Sequence, residues 1–153
     1  LGPEAEIQQV DLSRPLTMFG DEQFDLVLAT LCLDYIADWL SVFREFVRVL
    51  RPGGCFVMSA GHPSFDAEYY ATKKYFEVEA VECVWKGFGT RVTMPSFRRS
   101  MQDFINPVIE SGFVLDKICE PLPTEKFRLA DPRRFKTLMH RPGFLLLRAR
   151  KPT

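Results

Sequence analysis

Glycine is scarce where a nucleotide-type loop would need it. Before Gly53 the chain has only Gly2 and Gly20, and neither follows a buried strand. The first fifty residues therefore hold no glycine-rich cradle for a cofactor. Net charge is also lacking: 20 basic residues balance 20 acidic ones. No global field draws in a polyanion or an anionic membrane, so neither nucleic acid nor a membrane is expected as a partner. No apolar run approaches the roughly 20 residues that span a bilayer. The opening "LGPEAEIQQV" has no signal-peptide pattern, and a cytoplasmic location is the expectation. Cys32, Cys55, Cys83 and Cys119 form no C-x-x-C pair, which argues against a zinc site or disulfide framework and for free thiols. The chain opens on Leu1 rather than Met, which leads us to expect further residues upstream.

What is present has the rhythm of an α/β domain, and 153 residues suffice for one core. Ile7 to Val10 form a short β-like run before an irregular connection marked by Pro15, Gly20 and Asp21. "FDLVLAT" (24–30) is apolar enough for a central parallel strand. Asp38 caps the helix "WLSVFREFVRVL", whose inner face is read as Trp39, Phe43, Phe46, Val47 and Leu50, with Arg44, Glu45 and Arg48 turned to solvent. Pro52 with Gly53 or Gly54 ends that helix, and "CFVMSAG" (55–61) is the next strand, completing a βαβ unit. A loop and a short helix occupy residues 62–74. Two runs flanking "KGFG" form an antiparallel hairpin, with Gly87 and Gly89 free to take positive φ. A helix over 100–111 presents Met101, Phe104, Ile105, Val108 and Ile109, and Pro107 disturbs it locally. The strand "FVLDKICEP", a helix opened by Asp131 and Pro132, and the strand "GFLLLRARK" close the chain.

This order resembles the second half of a class I S-adenosylmethionine-dependent methyltransferase of the small-molecule type. Four stretches carry the resemblance: "QQVDLSRPL", "GDEQFDLVLATLCLDYIADW", "FREFVRVLRPGGCFVMS" and "FINPVIESGFVLDKICEP". It implies a Rossmann-like sheet of order 3-2-1-4-5-7-6 with the last strand antiparallel, here without strands 1 and 2. Those strands, with the family's glycine-rich first motif, would lie upstream of Leu1. Residues 1–153 are then a partial methyltransferase domain, with 62–99 covering the acceptor site. S-adenosyl-L-methionine is the implied cofactor and a small molecule the implied acceptor. By itself the 153-residue chain is expected to bind the cofactor negligibly.

The resemblance places Asp11 and the Leu12 amide at the adenine, and Ala29, Thr30 and Leu31 under the methionine part of the cofactor. Asp34 either accepts a proton or holds the cofactor's ammonium group, or is an exposed loop acid or helix cap. His62 follows the fifth strand of the family and points either into the acceptor cavity as a base or hydrogen-bond partner, or to solvent. These two are the catalytic candidates. Tyr70, among the aromatics Tyr69, Tyr75, Phe76 and Trp85, lines a lid or packs the core. Arg98, beside Arg99, binds an acidic substrate group or is solvated charge. No metal site is expected.

Methyl transfer from a sulfonium is an in-line displacement, for which positioning alone can supply roughly 7 to 11 kcal/mol, so a dedicated base is not required. The leading expectation is a small-molecule methyltransferase whose C-terminal portion this chain represents. A second, from another class, is a non-catalytic fragment or interaction module, with a free strand edge able to pair in a homodimer. A nicotinamide-dependent oxidoreductase suits the last strand and the "LRPGG" turn less well.

Overall fold

The computed structural model describes residues 5–85 and 89–153. Strand β1, Phe24–Thr30, pairs in parallel with β2, Leu50–Gly61. Helix α1, Trp39–Val49, connects them. Its free first-turn amide at Ser41 donates to the Asp38 carboxylate at 3.1 Å. After α2 (Pro63–Tyr69), β3 (Glu79–Trp85) and β4 (Val92–Arg98) form a separate antiparallel pair. Then follow α3 (Met101–Glu110), β5 (Val114–Cys119), α4 (Glu125–Ala130), α5 (Pro132–Leu138) and β6 (Phe144–Arg150).

The main sheet has order β1-β2-β6-β5, with β6 antiparallel to both neighbours. This is the 4-5-7-6 part of the expected order. Residues 7–10 are not a strand but an extended connection, with Val10 and Leu12 packed on the core.

The core lies between the sheet and helices α1 and α3. Phe43, Phe46, Phe56 and Phe113 stack in sequence with centroids 5.2 to 6.1 Å apart. On α1 the buried face is Trp39, Val42, Phe43, Phe46 and Val49. Val42 and Val49 thus replace Val47, which only leans on the core, while Leu50 is buried as the first residue of β2. Arg48 does not turn away: its guanidinium reaches back to the carbonyls of Leu16 and Phe19 and to Asp21 and Glu45. That arginine fastens the 16–21 connection to the helix. On α3 only Phe104 and Val108 are fully buried, and Met101 and Ile109 face outward.

The "RPGG" segment is not a helix stop. Leu50 is already extended (φ −80°, ψ 143°), so α1 ends at Val49. Phe24 opposes Leu50 and Leu26 opposes Cys55, so residues 51–54 bulge from the strand. Gly53, at φ +74°, donates to the Lys151 carbonyl, and Lys151 donates back to Gly54. The Lys151 ammonium also binds the Leu50 carbonyl at 2.8 Å. The bulge is where the chain's last strand is fastened to the start of β2.

In the hairpin, Gly89 takes φ +72°, while Gly87 lies outside the described residues. Helix α2 starts directly after β2 rather than after a loop, because Pro63 fixes the first helical φ and His62 caps it.

Candidate functional site

Ligands of open α/β sheets bind outside the carboxyl ends of the strands. Here that edge is formed by Thr30, Gly61 and Cys119, with the single-turn 3-10 helix Leu33–Tyr35 following β1. Leu31 lies in the left-handed region at φ +50°, a conformation that costs a side-chain-bearing residue about 1 to 2 kcal/mol. Its amide donates to the Ser59 carbonyl, which keeps the kinked backbone attached to β2. Ala29 is buried, whereas both Thr30 and Leu31 are exposed.

Two carboxylates meet at Gly61. Asp66, one turn into α2, lays its oxygens against the Gly61 Cα, and a β-carbon there would stand 2.5 Å from Asp66 Oδ2. Asp34 comes from the 3-10 turn and takes a hydrogen bond from the Gly61 backbone. Burial pushes the Asp34 carboxyl above its ordinary range, against the pull of Gly61 and Arg99. Burial, with the negative charge of Asp34 second, pushes Asp66 up to about 6, with Arg98 opposing. Tyr70 is also raised, first by burial and then by Cys83. The result is a pair of partly buried carboxylates, both with raised pKa, beside the ends of β1 and β2. Asp66 was not among the residues expected from sequence.

Arg99 and Trp39 brace the turn that carries Asp34. The Arg99 guanidinium lies 3.8 Å from the Trp39 ring centroid and donates to the Ile36 and Ala37 carbonyls. Trp39 Nε1 donates to the Leu33 carbonyl at 2.8 Å. Burial lowers the Arg99 pKa to about 10, still fully charged at neutral pH.

His62 is buried, not solvated. Its Nδ1 accepts from the Ser64 amide at 3.2 Å, leaving Nε2 to face Glu120 at 2.9 Å. This tautomer joins the end of β2 to the end of β5. Arg98 is likewise buried. Its terminal nitrogens donate to the carbonyls of Lys74, Tyr75 and Glu77, and Nε sits 3.5 Å from Glu79. It latches the 74–79 connection to β4. Tyr70 is half-buried, while Tyr69 and Phe76 are largely exposed.

Farther along β1, Leu12 and Ala29 line one apolar cavity of about 280 Å³ with Val10, Phe19 and Cys32. Asp11 stands at its approach, but its carboxylate accepts from the amide and hydroxyl of Ser13, which hold its pKa below the usual range. Among the described residues no group of three or more His, Cys, Asp or Glu is arranged to hold a metal, and no helix is long and apolar enough to cross a membrane.

Residues 2–58, which include the connection, β1, Asp34 and α1, match the family model described as a methyltransferase domain. The chain has the fold of the S-adenosylmethionine-dependent methyltransferases and resembles them in sequence over its first third. A structure described as an S-adenosylmethionine-dependent methyltransferase from Mesorhizobium loti is similar over 98% of this chain and 72% of its own, at 26% identity and TM-score 0.70. Another so described, from Listeria monocytogenes, covers 100% of this chain and 72% of its own, with TM-score 0.76 and 21% identity. One from Methanosarcina mazei shares 17% identity and TM-score 0.64, over 99% of this chain and 69% of its own. No curated protein matches the sequence. Asp34, Gly61 and Asp66 lie at the carboxyl ends of β1 and β2, the edge where open α/β sheets bind ligands.

Proposed function

We propose that this chain serves S-adenosyl-L-methionine-dependent methyl transfer to a small-molecule acceptor, with residues 62–99 covering the acceptor side. The single observation that carries this reading is the carboxylate pair, Asp34 and Asp66, held around Gly61 at the carboxyl ends of β1 and β2.

The bound cofactor would supply an electrophilic methyl group on a sulfonium. The residues toward it fit that role in chemistry. The apolar walls at Val10 and Leu12 suit the flat adenine, and the kinked backbone at residues 29 to 31 offers polar main-chain groups to the amino-acid part. Asp11 would give up its turn bonds or share an oxygen with the adenine amino group.

On the acceptor side, Asp66 holds or takes a proton near neutral pH, because its carboxyl titrates near 6. Asp34 keeps it there. His62 acts by positioning, as it fixes the ends of β2 and β5 through Glu120. Arg98 latches the connection after α2 and so supports Tyr70 at the rim. The rest of catalysis is orientation and exclusion of water.

The test uses the full polypeptide as its gene encodes it, with S-adenosyl-homocysteine titrated by calorimetry and labelled methyl transfer followed over a panel of amines, phenols and carboxylates. Micromolar binding, transfer to a member of the panel, and at least a tenfold loss of rate in Asp66→Asn are expected. A protein that binds no cofactor overturns the reading.

A second reading, a non-catalytic module pairing through β1 in a homodimer, has its own observation. β1 lies at the end of the sheet order, with Leu26 and Leu28 more than half exposed. A dimer dissolved by Leu28→Lys, in a protein without cofactor affinity, would favour it.

A further inference from the structure

Separate from the carboxylate pair, the chain holds a second concave surface. Residues 121–124, α4, α5, the start of β6 and Phe65 of α2 line an open groove of about 360 Å³. That is within the size of small-ligand sites, which start at roughly 300 Å³. Its walls are apolar: Phe65, Leu122, Phe127, Leu138 and Phe144. Gly143 makes it possible, since a β-carbon there would meet Leu138 at 2.9 Å.

Two polar side chains reach it, Thr124 and Arg134, and no carboxylate lines it. The Thr124 oxygen accepts from the Phe127 amide, which leaves its hydroxyl hydrogen to donate. Arg134 has its backbone amide on Asp131, and its guanidinium has no ion pair among the described residues. An apolar groove with one planar cation and one donor has a clear chemical complement.

We infer that this groove binds a small apolar carboxylic acid, its hydrocarbon body among Phe127, Leu138 and Phe144 and its carboxylate on Arg134 and Thr124. The apolar lining, open to solvent at Leu122 and Phe144, ends at a cation, which matches a ligand with one apolar body and one anionic end. The site opens beside the carboxyl edge, where the His62 amide donates to the Gly143 carbonyl. It does not depend on the methyl-transfer reading, and its test involves no transfer.

Octanoate, 1-octanol and octylamine are titrated into the full chain by calorimetry, with ligand-observed NMR to confirm contact. Octanoate should bind one to one, about tenfold more tightly than octylamine, as one charge-assisted bond implies. Arg134→Gln, at an exposed position, should cut octanoate affinity about tenfold and leave 1-octanol unchanged. Leu138→Trp, which fills the groove, should weaken all three, with circular dichroism confirming the fold. Equal affinity for octanoate and octylamine overturns the inference, as does an unchanged Arg134→Gln. So does a dimer that occupies this face and excludes octanoate.

Discussion

Asp66 rests on Gly61 with no room for a methyl group between them: the ideal β-carbon would lie 2.5 Å from Oδ2 and 2.8 Å from Oδ1. The strand and the helix that follows it are fitted together at this one point. Gly61→Ala should therefore drive the Asp66 carboxylate outward, toward water, at a cost of about 1 to 3 kcal/mol. Its pKa should fall back toward 3.8, which a carbon-detected NMR titration of the carboxyl group would follow. An Asp66 that still titrates near 6 in this variant would show that the contact does not set its environment.

The same group gives a signed pH dependence. In the fold Asp66 titrates near 6, against an ordinary 3.8, so between those values the folded chain binds the extra proton. Stability therefore falls as pH rises from about 4 to about 6 and is level above, by up to about 2 to 3 kcal/mol. Asp34, shifted in the same direction, adds to this slope. Asp66→Asn should be more stable than the parent at pH 8, by about 1 to 2 kcal/mol, and should lose most of the slope. Urea unfolding at pH 5 and pH 8 measures both quantities, and an unchanged slope would rule out Asp66 as its source.

Trp39→Phe keeps most of the apolar bulk but removes the bond to the Leu33 carbonyl and weakens the stack under Arg99. A loss of about 2 to 4 kcal/mol follows from an orphaned buried acceptor and a weaker cation–π contact. Denaturant unfolding gives the magnitude. Amide exchange at residues 33 to 35 should rise more than in β6, because the turn carrying Asp34 loses its support. Uniform loosening would contradict that local role.

The elements governed by period were legible in the sequence. The α1 pattern and "GFLLLRARK" show their buried faces by period, while the sheet order rests on the family resemblance. "FDLVLAT", apolar enough for a central strand, instead stands at the edge of the described sheet with Leu26 and Leu28 exposed. Helix α4 has a weak local signature: Thr124 ahead of Glu125 is a cap signal, but the helix runs to only 6 residues and follows Pro121 and Pro123. "RPGG" misled for a related reason: Pro and Gly both stop helices and make bulges, and only the register against Phe24 separates the two. Asp34 was singled out by its position after β1. Asp66 was not, since its significance arises from contact with a glycine brought against it by the turn at His62 and Pro63. His62 and Arg98 stand out by position in the chain, yet the Glu120 carboxylate that faces His62 and the Lys74 and Glu77 carbonyls that bind Arg98 come from other elements, which no local pattern encodes.

The junction of Lys151 with Gly53 and Gly54 has a mechanical consequence. Force applied at the carboxyl terminus meets this clasp first, then passes into β6, which is hydrogen-bonded along both sides. The sheet thus has one end bolted by its own tail and an opposite end where Asp34, Asp66 and the short α2 can adjust without loosening the rest.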